Sequence, residues 1–222
     1  MGSGCSADSH QGGLDIELTP ETNEVISKLK LFPEEVDVLW QAFTAIDKEH
    51  SRLLNIKEFH NYFKLEETPF SRMVFSKMDG NDSHEISFIE FVINIWDFLT
   101  LDLLHFVFKL YDRDGSKTIS RDEFENITLG AYGIAYGKNK TLDGMVARAD
   151  SNVDGNITFE EFELFTRRHQ NISYPGHQIQ TAMKTRIGGE KFWDNLRESR
   201  ERNFKDQSVF KILHGFSSKK AK

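Results

Sequence analysis

The chain has 222 residues, one Cys and a formal net charge of −7. That length supports two compact cores. A lone Cys excludes an internal disulfide framework, the lack of a long apolar run excludes a bilayer-spanning helix, and bulk acidity argues against nucleic acid as the main partner. The charge is uneven: residues 179–222 hold 11 Lys/Arg against 5 Asp/Glu, a surplus of +6, which leaves −13 for the remainder.

Residues 1–20 are polar and Gly/Ser-rich and carry no secretory signal, so they read as a flexible arm of a cytoplasmic chain. Met1-Gly2-Ser3-Gly4-Cys5-Ser6 matches the pattern M-G-x-x-x-[ST], which would put a myristoyl chain on Gly2. One such chain holds a membrane only marginally, and stable anchoring needs a second signal. Palmitoylation of Cys5, or the basic C-terminal stretch, would supply it.

Beyond the arm the pattern becomes periodic. Pro33 suits the start of a helix over about 34–46 and Pro69 one over about 69–78, because the first turn has no use for the N–H that Pro lacks. Asp102 and Thr141 suit caps for helices over about 102–111 and 141–149. A second helix follows each of these, at about 56–64, 88–98, 121–131 and 159–169. Within each pair lies a 12-residue polar loop that opens on Asp and closes on Glu: Asp47 to Glu58, Asp79 to Glu90, Asp112 to Glu123, Asp150 to Glu161. Each closing Glu precedes a Phe, and successive pairs lie 32, 33 and 38 residues apart. Position 8 of every loop is apolar (Leu54, Ile86, Ile119, Ile157), which suits a short antiparallel bridge joining loop one to two and three to four. Phe43, Phe75, Phe108 and Val146 sit one helical turn before the leading Asp, facing a core. Ala131 to Gly137 holds two glycines and ends the third exiting helix.

A 12-residue loop with acids at both ends is a calcium cage. Calcium takes six to eight oxygens; positions 1, 3 and 5 supply side chains, 7 a backbone carbonyl, and the Glu at 12 closes the sphere with both oxygens. Position 6 needs a positive φ, which Gly adopts freely. The fourth loop matches D-x-[DN]-x-[DN]-G-x5-E throughout, with Asp150, Asn152, Asp154, Asn156 and Glu161 as ligands. The third offers Asp112, Asp114, Ser116, Thr118 and Glu123, with Lys117 in place of the Gly. A non-Gly residue there costs about 1–2 kcal/mol, which weakens the site without abolishing it. The second loop is poorer still: Asp79, Asn81, Ser83, Glu85 and Glu90 are its candidates, with His84 at the tight turn. In the first, Glu49 is long where a short ligand is expected and Arg52 brings a positive charge to the turn, so it reads as a metal-free hand kept for packing.

Pro175-Gly176 reads as the break that follows the last exiting helix. After it, Phe192, Trp193, Leu196, Arg200 and Phe204 recur at helical spacing with charges opposite, a basic amphipathic helix. Such a helix either occupies the cleft of a lobe and gates it or packs permanently on the surface. With 19 Phe and five Met, an exposed cleft would be stiff and selective in its targets.

These repeats, the degenerate first loop, the acylation pattern and Leu65-Glu66-Glu67-Thr68-Pro69 between hands one and two resemble the calcineurin B family, which includes the plant calcineurin B-like sensors and is related to the neuronal calcium sensors. The likeness covers about residues 34–169. It implies an all-α protein of four EF-hands in two paired lobes, here with a C-terminal helical extension. It implies Ca2+ as the ligand and a helix of a phosphatase, kinase or transporter as the partner. The expected organisation is an N-terminal arm over 1–20, an N-terminal lobe over 21–100, a C-terminal lobe over 101–171 and a basic tail over 172–222. A calcium sensor is the leading reading, with a structural subunit or a calcium buffer as alternatives. No hydrolase, P-loop or metal-hydrolase motif points to an enzyme.

Overall fold

The structure is a computed structural model that describes residues 18–132, 140–205 and 207–214. In chain order it forms α1 (Pro20–Leu29), α2 (Pro33–Ile46), β1 (Leu53–Leu54), α3 (Ile56–Phe63), α4 (Pro69–Met78), β2 (Ile86–Ser87) and α5 (Phe88–Thr100). The second half forms α6 (Leu103–Tyr111), β3 (Ile119–Ser120), α7 (Arg121–Tyr132), α8 (Lys140–Ala149), β4 (Asn156–Ile157) and α9 (Phe159–Thr166). A 3-10 turn (Gln170–Ile172) then leads to α10 (Tyr174–Arg186), α11 (Glu190–Phe204) and α12 (Val209–His214). Among the described residues the fold is all-α apart from two bridges. These are antiparallel, as the apolar eighth positions imply: Leu54 faces Ile86, and Ile119 faces Ile157.

Local chemistry sets the helix ends. Pro33 and Pro69 lie in first turns, and the Asp102 carboxylate accepts from the N–H groups of Leu104 and His105. The side chain of Thr141 and the glycines of 133–137 lie outside the described residues. Phe43, Phe75 and Phe108 are buried, and their carbonyls accept from the leading Asp of each loop at 2.9–3.0 Å. Three of the four loops therefore hang from the carbonyl of a Phe whose ring joins a core, the fourth from that of the half-buried Val146, with Phe59, Phe63 and Phe91 in one core and Phe106, Phe124 and Phe162 in the other. α5 is buried nearly all round, including Trp96, Asp97 and Thr100, because other helices cover its several faces.

Those covering helices depart from the sequence reading. α1 was not expected: the polar arm gives way at Thr19, whose hydroxyl caps Thr22 N at 3.2 Å, with Pro20 next in line. The Pro175-Gly176 break is also corrected. α9 has already stopped at Thr166, and Pro175 sits in the first turn of a new helix, where proline is tolerated. α10 lies across both lobes, against α3, α4 and α5 of one and α6 of the other. The amphipathic helix forms as α11, burying Trp193, Leu196 and Phe204, and packs along α5 beside α10. α12 returns to α1, where Lys28 Nζ donates to Leu213 O at 2.7 Å and Lys30 Nζ to Asn203 Oδ1 at 3.0 Å.

A buried charge cluster ties α11 to the lobes. Asp97 of α5 is 1% exposed and pairs with Lys109 of α6 and with Arg200, whose Nη2 lies 3.0 Å away. Arg200 also donates to Thr100 Oγ1 at 2.8 Å, and its guanidinium lies 4.7 Å from the Trp96 ring centre. Burial, then the nearby Arg200 and Lys77, hold Lys109 down to about 8. Burial alone lowers Arg200 to about 10.

Candidate metal centres

One backbone device recurs in all four loops. The position-6 residue has a positive φ whatever its side chain: Arg52 at 65°, His84 at 67°, Lys117 at 69° and Gly155 at 88°. Its N–H then points inward to the leading Asp, at 2.9, 2.7, 3.1 and 2.9 Å in loop order. The closing Glu is a second shared device. It is the third residue of its exiting helix, and its carboxylate accepts from the N–H at position 9, at 2.9–3.0 Å in every hand. The position-9 side chain (Asn55, Ser87, Ser120, Thr158) caps the Glu N–H in return. Sequence reading passed over these four caps, although a Ser, Thr or Asn three residues before each Glu is the signal for them.

In the third loop, carboxylate oxygens of Asp112, Asp114 and Glu123 lie within 4.8 Å of one another. Asp112 Oδ1 is buried with no hydrogen-bond partner. Burial raises the Asp112 carboxyl, the Lys117 N–H opposes that, and Asp114 and Glu123 push it further up. Asp114 is lowered instead, chiefly by the Ser116 N–H. Three convergent acids and an orphaned buried oxygen fit a hard divalent cation. Ser116 Oγ donates to Thr118 O at 3.0 Å, which brings the position-5 hydroxyl to the position-7 carbonyl.

The fourth loop is tightly laced. Asp150 accepts from Asp154 N and Gly155 N, Asn152 Oδ1 from Asp154 N, and Asp154 Oδ1 from Asn156 N at 2.8 Å. Glu161 spans the loop, taking Ser151 N and Oγ on one oxygen and Thr158 N and Oγ1 on the other. Burial works to raise Glu161, but the donors of Thr158 and Ser151 outweigh it and bring its carboxyl down to about 2. It is an anion at any ordinary pH.

In the second loop, Asp79 and Asn81 both accept from Ser83 N, while Ser83 Oγ donates to Glu85 O at 2.8 Å. Glu90 takes Ser87 N and Oγ. In the first, Lys48 N and Glu49 N donate to Glu58, as Ser151 N and Asn152 N do to Glu161 in the fourth, and Lys48, Glu49 and Arg52 are exposed. Among the described residues, three acidic side chains converge only in the third loop. Gly2 and Cys5 lie outside the described residues.

Comparison with known proteins agrees with this geometry. Residues 102–167 match the EF-hand domain pair. The chain is 29% identical to the calcineurin B subunit of Naegleria gruberi over 163 residues, 70% of this chain and 92% of that one. It is 29% identical to the calcineurin B subunit of Yarrowia lipolytica over 141 residues, 59% of this chain and 79% of that one. The type 2 calcineurin B subunit of Homo sapiens is 27% identical over 141 residues, 60% and 83% of the two chains. Paired helix–loop–helix units and cation-fitting oxygens accompany these likenesses: residues 102–167 match an EF-hand domain pair, and the chain is similar to the calcineurin B proteins.

Proposed function

We propose that the chain senses calcium through Asp112, Asp114, Ser116, Thr118 and Glu123 in the third loop and Asp150, Asn152, Asp154, Asn156 and Glu161 in the fourth, and answers by docking a helix of a target protein. A weaker site uses Asp79, Asn81, Ser83, Glu85 and Glu90. The carrying observation is the trio Asp112, Asp114 and Glu123 around an unpartnered buried oxygen. The cation, when bound, supplies the charge that draws loop oxygens into one sphere. Glu123 and Glu161 sit inside the first turns of α7 and α9, so any rotation of those carboxylates moves the helices that carry them. The Ile119–Ile157 bridge couples the two loops. Opening of the lobe exposes apolar side chains to an amphipathic helix.

The relatives are named as one subunit of calcineurin, which supports a regulatory, non-catalytic role within an assembly. The target class is then a phosphatase, with kinases and transporters as the other candidates. The site of action is the cytoplasm, with membrane association if Gly2 and Cys5 are acylated. A subunit that uses calcium only to stay folded is the second reading, favoured by the cover that α10 lays over both lobes. Calorimetric calcium titration of wild type, Glu123→Gln and Glu161→Gln tests the proposal. Each variant is expected to lose or weaken at least tenfold the site it closes. Unchanged titrations in both variants would refute the assignment, and micromolar binding without a gain in exposed apolar surface would favour the second reading.

A further inference from the structure

The four hands differ in charge as well as in loop chemistry. Over the 18 residues that begin at the leading Asp, the second hand holds four Asp/Glu and no Lys/Arg, the third five against three, and the fourth five against one. The first, residues 47–64, reverses the sign, with Lys48, Arg52, Lys57 and Lys64 against Asp47, Glu49 and Glu58. Two of those three acids are turned inward. Asp47 is buried and accepts from Ser51 N and Arg52 N; Glu58 is buried and accepts from Lys48 N and Glu49 N. The four cations are all exposed, so the outer face of this hand is positive in a chain that is acidic overall.

A cleft of about 770 Å³ opens on this face. The buried Ile46 and the half-buried Ile56 and Tyr62 make part of its lining apolar. Lys48, Lys57 and Lys64 stand around it, joined by Arg186 from the last turn of α10. The Arg186 guanidinium lies 5.9 Å from the Tyr62 ring centre, and the Tyr62 hydroxyl donates to Arg186 O at 3.4 Å. Among the described residues, none of these four cations makes an ion pair. Glu49 is the one exposed acid in the lining. A guanidinium held over a ring, with no acid of its own, is set to grip a carboxylate through two parallel hydrogen bonds.

We propose that the cleft beside the first hand docks an acidic segment of a partner protein. One bulky apolar side chain of that segment enters between Ile46, Ile56 and Tyr62, and the flanking carboxylates meet Lys48, Lys57, Lys64 and Arg186. A hollow with an apolar lining suits a single side chain, whereas a bilayer needs only a flat field of positive charge, so the shape favours a peptide. The surface belongs to the hand expected to hold no metal, and it stands apart from the calcium reading.

The test uses the full-length chain and a fluorescein-labelled peptide, Glu-Asp-Glu-Leu-Asp-Glu, read by anisotropy. Lys57→Glu with Arg186→Glu is expected to weaken binding about tenfold or more. Lys191→Glu with Arg202→Glu makes the same change in net charge at exposed positions of α11 and is expected to leave binding unchanged. Replacing the Leu of the peptide with Gly is expected to weaken binding several-fold, because the apolar lining loses its occupant. No binding to wild type, an equal loss in the two double variants, or equal binding of the Leu and Gly peptides overturns the proposal. So does binding of wild type, but not of the Lys57→Glu, Arg186→Glu chain, to phosphatidylserine vesicles with no binding of the peptide, which would assign the surface to a bilayer. Should that double variant lose its helical circular dichroism, hydrogen exchange of wild type with saturating peptide decides. Slowing confined to the first hand and the end of α10 supports the proposal, and slowing centred on the third and fourth hands overturns it.

Discussion

Replacing Trp193 with Ala separates the C-terminal extension from the hands energetically. Trp193 is fully buried, meets Phe192 edge-on at 5.0 Å between ring centres, and donates Nε1–H to Ile187 O at 2.6 Å. Truncating a buried Trp costs about 3–5 kcal/mol. Each 1.4 kcal/mol is a factor of ten, so the local open population should rise about a hundred- to several-thousand-fold. Opening should stay local, because Trp193 belongs to α11, whose main neighbour is α5, while the third and fourth loops hang from α6 to α9. Hydrogen exchange with mass spectrometry is the assay. Amides of α10, α11, α12 and the α1 that α12 holds should exchange faster by that factor, while β3 and β4 keep their protection. An equal increase across all segments, β3 and β4 included, would show that the extension and the hands unfold as one unit and would refute the argument.

Lys117→Gly removes the cost of a left-handed non-Gly residue, about 1–2 kcal/mol, and should tighten the third site by about five- to thirtyfold in a calcium titration. Arg200→Met leaves Asp97 with Lys109 but forfeits the hydrogen bonds to Asp97 and Thr100, so urea unfolding should show a loss of about 2–3 kcal/mol. His60 is buried, its Nε2 has no partner, and burial lowers its pKa below 6.5. A lowered folded pKa means the unfolded chain binds the proton more readily, so stability is full above about pH 6.5 and falls as pH drops toward the folded value. His60→Gln should flatten that part of a pH series of unfolding midpoints.

The hands were legible because their constraints are local. An Asp and a Glu eleven positions apart, an apolar eighth residue and a helix-starting Pro each act within one turn or one loop, and Leu54–Ile86 and Ile119–Ile157 paired accordingly. α10 was not legible. Tyr174-Pro175-Gly176 carries two residues that usually end helices, and its inward face, Gly176, Ile179, Gln180 and Met183, is too mixed for a strong apolar stripe. Only tertiary contact with Val107 and the α5 carbonyls makes sense of that face. Asp97 was hidden for the same reason: an acid in an apolar run gives no hint that Lys109 and Arg200, 12 and 103 residues away, will meet it. The convergence of Asp112, Asp114 and Glu123 was implied by spacing, whereas the unpartnered Asp112 oxygen became visible only in three dimensions.

The grip of Lys28 on Leu213 and of Lys30 on Asn203 has a mechanical consequence. α1 is fastened to the last described helices on one flank and packs on α5 as well, so a pull applied ahead of Pro20 is shared between α12, α11 and the helix that leaves the second loop. A tether at that end would therefore strain the cover and the first pair of hands together.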